Sequence, residues 1–423
     1  MRALEVWLAG RLVGTISETR RGARFVYSEE VYEESPGTPV LSLCLPAKRR
    51  PFGESRTRNW FEGLLPEGGR RDRACRRLGL DLLDWVGLLS EIGWECAGAV
   101  QVFPEGGAAA HSGSYEPVAY ADLAALLSDA SLCDPLESSG SFRMSLGGFQ
   151  DKLCVRMPTL PKNAAHVPAE GACLTLGDAA STHILKPEPS RYPGLAESEA
   201  WAMTAAARAA RCARVALLGL EGCPTTLVVE RYDREIGPHG AVTRLHQEDA
   251  CQALGLPVSA KYANEVAPKG DDPTYTAIAA LIDRYAIDVE SEKNELLRQL
   301  AVNMALGNWD AHAKNMSFLY RESGQPAVAP LYDVVPIAEA EPRTTLLSMR
   351  VAGSLDPASV DGAALLREAT SWGLTGNVAR NVIEDCLGAL REGLDAAASL
   401  YPSAAGRHEA TTLMRMERLY RMG

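Results

Sequence analysis

The sequence predicts an α+β fold of two lobes, on three observations. Alternating apolar and polar segments bounded by turn residues fill much of the chain up to residue 243. Helical periodicity dominates from about residue 248 onward, and the most polar short motifs lie near or beyond that change. At 423 residues the chain also exceeds what one hydrophobic core normally holds. The expected division is a β-rich N-terminal subdomain over 1–103, a small lobe with a Ser/Gly-rich loop over 117–243, and a helical large lobe over 244–423. The Gly/Ala/Ser-rich stretch PEGGAAAHSGSYE, 104–116, is the expected linker.

The elements follow in order. LEVWLAGRLVGTISETRRGARFVYSEEV reads as strands in hairpins, with Gly10 and Gly14 at turns. LDLLDWVGLLSEIG, 80–93, has helical spacing, and AGAVQVFPEG then reads as a strand and a stop. ADLAALLSDAS is a short helix, followed by a Ser/Gly-rich loop that runs into the strand LCVRM. THILKPE is a strand, LAESEAWAMTAAARAARC a helix, and CPTTLVVERYDRE and AVTRLH are strands. The remainder is mainly helical, interrupted by the polar loop NWDAHAKN and the strand-like pair MSFLY and AVAPLYDVV.

Composition narrows the function classes. A formal charge of −11 argues against general affinity for nucleic acid or anionic membranes. Residues 48–77 are the exception, with ten Lys or Arg against four acids, either a solvated face or a contact for a partner or for DNA. The first residues lack the apolar core and cleavage site of a signal peptide, and no run of about 18 apolar residues appears. The ten cysteines are scattered without a CxxC pair, as reduced thiols of a cytoplasmic protein would be.

Chemistry concentrates in NWDAHAKN, 308–315. Asp310 and Asn315 stand in D-x-x-x-x-N spacing, which suits a carboxylate that accepts a hydroxyl proton and an amide that holds a metal ion. Asp333, in PLYDVV, could complete an oxygen-rich Mg²⁺ site. Lys186 closes the strand HILK and could pair with nucleotide phosphates, with Glu199 in the next helix placed to hold it. Phosphoryl transfer needs this set, because its work is positioning and charge neutralisation. In SLGGFQDK, 145–152, Gly147 and Gly148 let backbone N–H groups approach phosphate and Lys152 adds charge; a plain turn is the other reading. VVERYDR, 228–234, is either an edge strand or the segment that offers backbone groups to adenine.

With these motifs in order, the chain resembles HipA-type serine/threonine kinases, the toxins of bacterial type II toxin–antitoxin pairs. WFEGLLPEG, MSLGGFQDK, THILKPE, VVERYDR, RLHQEDACQALGLPVSAKY, LGNWDAHAKNMSFL and LYDVV carry the resemblance. It implies a two-lobed kinase-like fold, ATP and Mg²⁺ as cofactors, Asp310 as catalytic base, and Asn315 and Asp333 as metal ligands. It further implies that Lys186 and Lys152 contact phosphates, that Glu230 and Tyr232 flank the adenine through their backbone, and that Ser145 is autophosphorylated as self-inactivation. His312 and Lys314 fall inside the catalytic loop and count among the ATP-binding residues, His312 bracing its turn, while Gln247, Glu248 and Asp249 take structural roles. The implied partners are a HipB-like helix-turn-helix antitoxin, operator DNA through that antitoxin, and a protein substrate, with glutamyl-tRNA synthetase as the family's precedent. The implied outcome is growth arrest and persistence. Phe149 and Asp151 depart from the Ala and Glu expected there, and the basic run at 70–77 is denser than the pattern. Two alternatives stay open: a catalytically weak corepressor acting with the antitoxin on operator DNA, and a small-molecule kinase of similar architecture. Substitution of Asn308 is expected to cost little.

Overall fold

A computed structural model describes residues 1–108, 112–128, 150–162, 171–263, 272–321, 324–340 and 345–422. They form two compact units, each made of two chain stretches: Met1–Pro187 with Leu218–Val258, and Glu188–Leu217 with Ser259–Gly423. Mixed helix and sheet make up the whole, as an α+β sequence pattern predicts.

The first unit opens with β1 (Ala3–Leu8), β2 (Arg11–Thr19) and β3 (Gly22–Tyr27), which join β4 (Val100–Pro104) in an antiparallel sheet of order β3-β2-β1-β4. Helices α1 (Glu29–Glu34), α2 (Glu54–Glu62), α3 (Gly68–Leu78) and α4 (Trp85–Ile92) lie between β3 and β4 in the chain. Period-two alternation points Leu4, Val6, Ile16 and Phe25 into one core, where they join Trp60 and Phe61 of α2 and Leu88 and Leu89 of α4.

A second sheet begins with β5 (Ser114–Val118), followed by α5 (Tyr120–Ser128), β6 (Leu153–Arg156), β7 (Ala172–Leu176) and β8 (His183–Pro187). The chain then leaves through α6 (Leu195–Ala206) and returns in β9 (Val215–Leu218) to β10 (Thr226–Glu230). The strands β5-β7-β6-β8-β10 are neighbours in that order. Ser114 to Glu116, expected to be linker, instead pair with Leu176 to Leu174 of β7, which gives their backbone groups partners. A small hairpin of β11 (Arg234–Ile236) and β12 (Val242–Arg244) leads to β13 (Gln247–Asp249) and α7 (Ala250–Leu254).

Buried charge joins the two parts of this unit. The Glu95 carboxylate is fully buried and takes bonds from Arg231 at 3.0 Å, Arg234 at 3.0 Å and Arg244 at 2.7 Å. Asp233 receives Arg231 at 2.7 Å and the backbone amide of Gly98 at 2.7 Å. Burial opposes ionisation of Glu95, but the three guanidiniums win and hold its pKa at about 2. Glu248 accepts from the Ser42 hydroxyl at 2.6 Å, the Leu43 amide at 2.8 Å and the Trp60 indole at 2.9 Å. Asp249 caps α7 in a capping box with Gln252, whose side chain also donates to the Trp60 carbonyl. The segments WFEGLLPEG and HQEDACQ are thus two halves of one joint, and the structural role expected of Gln247, Glu248 and Asp249 matches their bonds. The basic segment 48–77 is partly spent on acids: Arg49 on Glu29, Arg58 and Arg71 on Glu62, and Arg73 on Asp151.

In the second unit, α6 is followed by α8 (Tyr275–Tyr285), α9 (Val289–Leu306), the hairpin β14 (Ser317–Tyr320) and β15 (Pro326–Val328), α10 (Ile337–Ala340), α11 (Gly362–Ser371), α12 (Gly376–Leu400) and α13 (Pro402–Leu419). Alanines let α6 lie close against α12. A Cβ on Gly393 would sit 2.2 Å from the Ala205 carbonyl oxygen, so that crossing requires glycine. The helix expected through Cys212 stops at Ala206. Arg211 to Ala213 instead run extended beside Leu331, with the Leu331 amide donating to the Arg211 carbonyl and the Ala213 amide to the Leu331 carbonyl, both at 2.8 Å. Among the described residues no disulfide forms, and no helix is long and apolar enough to cross a membrane.

His246 offers a stability test of the first unit. Burial pushes its pKa from 6.5 to about 4, against the opposing effect of its bond to the Leu41 carbonyl at 2.8 Å. The folded state therefore favours neutral imidazole, and stability present above pH 6.5 is lost as pH falls towards 4. The full loss is about 3 kcal/mol. Glu95 remains ionised across this window in the folded state. The urea midpoint of wild type should fall between pH 6.5 and 4.5, and His246→Gln, which can still donate to Leu41, should flatten that decline.

Candidate active site

Helix α9 ends at Gly307, whose φ of 72° is left-handed and whose added Cβ would meet the Arg415 guanidinium at 2.9 Å. Asn308 follows, and it is buried. Its amide donates to Asn303 Oδ1 at 2.9 Å and to the Asp333 carbonyl at 3.3 Å. Asn308 therefore ties the loop carrying Asp310 to the segment carrying Asp333, and the expectation that it is dispensable is corrected. The sequence hides this because both partners are set by the tertiary fold.

The loop then turns on itself. The His312 amide donates to the Asp310 carbonyl at 2.7 Å, and the Asn315 amide donates to the His312 carbonyl at 2.8 Å. Ala313–Asn315 form a single 3-10 turn, and Asn315 Nδ2 reaches back to the Asp310 carbonyl at 3.3 Å. The six-residue spacing is thus a closed loop with Asp310 at one end and Asn315 at the other. His312 is buried with its ring edge-on to Tyr262, centroids 5.1 Å apart, so it braces the turn. Lys314 is also buried, and its carbonyl accepts the Tyr332 hydroxyl at 2.6 Å. That hydroxyl also meets Ser317 Oγ at 2.6 Å, which fixes the residue next to Asp333. Asp333 itself does not end a regular strand: its φ is +53°, in the left-handed region that Asp tolerates better than most residues. Only Leu331, in a single bridge, keeps strand character there.

The proton affinity of Asp310 is raised. Burial is the largest cause and the like charge of Asp333 adds to it, while Lys261, Ser348 and Tyr262 act in the opposite direction. Ser348 Oγ donates to Asp310 Oδ1 at 3.3 Å, and the Ser348 amide donates to the Trp309 carbonyl at 2.9 Å. A carboxylate with raised proton affinity, held from two sides and near a second carboxylate, is equipped to accept a proton. Asn308, Lys261, Tyr262 and Ser348 were not singled out by sequence spacing. Lys261 and Tyr262 were visible only as the last two residues of the family-like stretch ending SAKY.

The remaining sequence-predicted residues divide between the units. Lys186 lies on β8, buried, opposite Leu227 of β10. Strands β6 and β8 pair Leu153 with Leu185, and the same register carried one residue on sets Lys152, also buried, opposite Lys186. Continued through Lys152, that register would set two buried lysines on one face and concentrate positive charge there. Glu230 ends β10, and the Tyr232 hydroxyl two residues on donates to Gln247 Oε1. Glu199 belongs to the second unit, buried in α6. Ser145, Gly147 and Gly148 lie outside the described residues. For a metal ion, the Asp333 carboxylate and the Asn315 amide oxygen are the donors this site offers. The described residues contain no cluster of three or more His, Cys, Asp or Glu that would hold one unaided.

Comparison with known proteins supplies the context. Residues 4–103 match the HipA N-terminal domain family and residues 144–394 match the HipA-like C-terminal domain family. A Sinorhizobium fredii protein named "Putative kinase Y4mE" is 35% identical over 368 residues, 85% of this chain and 83% of its own length. The Shewanella oneidensis serine/threonine-protein kinase toxin HipA is 28% identical over 385 residues, 89% of this chain and 84% of its own. Among solved structures, HipA in the Shewanella oneidensis complex with HipB and operator DNA superposes with a TM-score of 0.81 at 24% identity, covering 98% of this chain and 97% of that one. That likeness establishes a shared fold.

Asn308→Ala should destabilise the protein by about 1–3 kcal/mol, because it removes a donor from the buried Asn303 amide oxygen and from the part-buried Asp333 carbonyl. Urea unfolding checks this, and a variant within about 0.5 kcal/mol of wild type would remove Asn308 from the site's supports.

Proposed function

The chain belongs to the HipA family of kinase toxins, and we propose that it is an ATP- and Mg²⁺-dependent protein serine/threonine kinase. The observation that carries this reading is the closed loop of residues 310–315, with the Asp310 carboxylate of raised proton affinity at one end and the Asn315 amide at the other.

The acceptor serine hydroxyl attacks the γ-phosphorus of ATP, its proton passes to Asp310, and the bond to the β-phosphate oxygen breaks to release ADP. Asn315 and Asp333 would hold Mg²⁺, which when bound would supply charge neutralisation to the phosphates. Their oxygen chemistry fits that ion together with phosphate and water ligands. Lys152 and Lys186 take the phosphates, a role supported by the β6–β8 register, which leads Lys152, just before β6, towards Lys186 on β8. The backbone at Glu230 and Tyr232 meets the adenine. Gly147 and Gly148, outside the described residues, are proposed to let backbone N–H groups approach the phosphates. His312 and Lys314 keep the loop's shape beside the nucleotide, and phosphorylation of Ser145 switches the enzyme off.

The partners follow from the relatives. HipA of Shewanella oneidensis is seen with HipB and its operator DNA, and this chain is proposed to bind a HipB-like helix-turn-helix antitoxin and to reach operator DNA through it. Its target is proposed to be a protein serine, with an aminoacyl-tRNA synthetase as the first candidate, and the consequence growth arrest and persistence in the cytoplasm.

The purified chain, incubated with γ-labelled ATP and Mg²⁺ and then mapped for phosphosites, should label itself at Ser145 and label protein in a lysate. Asp310→Ala should lower both by about 100-fold or more. No label on the wild type would sink the kinase reading and favour a catalytically silent corepressor. Self-labelling at another residue alone would sink the role of Ser145. Label on metabolites in place of protein would point to a small-molecule kinase.

A further inference from the structure

Asp310 is held from a side that the catalytic loop does not supply. Three consecutive residues, Lys261 to Ala263, touch that loop or its brace. The Lys261 carbonyl accepts the amide of Ala313, in the 3-10 turn between His312 and Asn315, at 3.1 Å. The Tyr262 ring stands edge-on to His312. The Ala263 amide donates to the Ser348 carbonyl at 2.8 Å, and Ser348 in turn bonds Asp310 and the backbone of Trp309. The Lys261 backbone is therefore pinned to the centre of the loop, and its side chain is only 4% exposed. The Lys261 ammonium lies over the Tyr262 ring, 5.2 Å from its centroid, and an ammonium so deeply buried is costly without a counter-charge as well. Of the neighbours that favour the charged form of Asp310, Lys261 acts most strongly, and Asp333 works against it.

We infer that Lys261 is a positioning residue of the proposed kinase site, its ammonium fixing the Asp310 carboxylate against the repulsion of Asp333 and so aiming it at the acceptor hydroxyl. The inference rests on the kinase reading and adds a component to it. Asp310 and Asp333 are two like charges brought near each other to serve base and metal. A fixed cation beside the base keeps one carboxylate from being pushed aside by the other. Misplacement of a reacting group by about 1 Å can cost about 100-fold in rate, so the effect belongs in the rate of transfer and not in nucleotide binding.

The experiment is single-turnover self-labelling of the full chain with γ-labelled ATP and Mg²⁺ at rising ATP concentrations, which separates maximal rate from half-saturating ATP. Lys261→Met removes the charge at nearly constant size, and Lys261→Arg keeps it. The maximal rate of Lys261→Met should fall about 10- to 100-fold, with half-saturating ATP within about twofold of wild type. Lys261→Arg should recover most of the rate. In an Asp310→Asn background Lys261→Met should cost nothing further, because a residue acting through Asp310 has nothing left to position.

A Lys261→Met rate within about threefold of wild type would overturn the inference. So would equal losses in Lys261→Met and Lys261→Arg, or a rise in half-saturating ATP at unchanged rate, which would make Lys261 a nucleotide ligand. If Lys261→Met does not fold, Lys261→Gln takes its place in the same cycle. A wild type that takes no label overturns the kinase reading and this inference together; an active wild type matched by Lys261→Met overturns this inference alone.

Discussion

The side-chain amide of Asn308 is the bond on which the candidate site depends. Asp310 and Asp333 belong to different turns, and nothing local brings them together. Asn308 does so by donating to both Asn303, inside α9, and the carbonyl of Asp333. The geometry starts from a rigid element: α9 ends on a left-handed glycine, Asn308 sits immediately after it, and Asp310 follows in the turn. Asp333 meanwhile adopts a positive φ, a conformation that persists only where its surroundings dictate it. Those surroundings are Asn308 on its carbonyl, the doubly bonded Tyr332 hydroxyl before it, and Leu331 bridged to Cys212. Asp310 and Asp333 are thus fixed by a chain of bonds running from helix end to turn to bridge.

A different constraint governs the first unit. Its N-terminal sheet and its second sheet meet over buried charge instead of a purely apolar face. Glu95 lies just before β4, and Arg231, Asp233, Arg234 and Arg244 follow β10, so the Glu95 carboxylate of one part finds guanidiniums of the other, and Asp233 accepts the Gly98 amide in return. Such clusters are costly to desolvate, and their bonds must be nearly complete to persist. Here Ser181 and the backbone amide of Gly98 supply the additional bonds. The Glu248 carboxylate repeats the device with Ser42, Leu43 and Trp60. These two joints bring the N-terminal stretch and the segment carrying Lys152, Lys186 and Glu230 into one unit.

What could be read from the sequence was what depends on neighbours in the chain. Asp310 and Asn315 were legible because a single turn closes between them, and the strands around Lys186 were legible from their apolar alternation. Helix α6 was drawn too long because alanine favours helix wherever it occurs, while the bonds of Arg211 and Ala213 to Leu331 stop it. Asn308 was misjudged and Lys261 and Ser348 were passed over for one reason: their importance comes from partners far along the chain. The opposed placement of Lys152 and Lys186 likewise needs the register of β6 on β8. Ser145, Gly147 and Gly148 lie outside the described residues, so the phosphate loop rests on its sequence and family pattern.

The proposed function depends most on Asn315 and Asp333 forming a metal site that serves a nucleotide. Binding of a fluorescent, non-hydrolysable ATP analogue, measured while Mg²⁺ is titrated, tests it most directly. Wild type should bind the analogue tightly only with Mg²⁺, and Asp333→Asn, which keeps the left-handed backbone but loses the charge, should forfeit about tenfold or more of that gain. Equal affinity with and without Mg²⁺, or an Asp333→Asn titration that overlays the wild type, would contradict it.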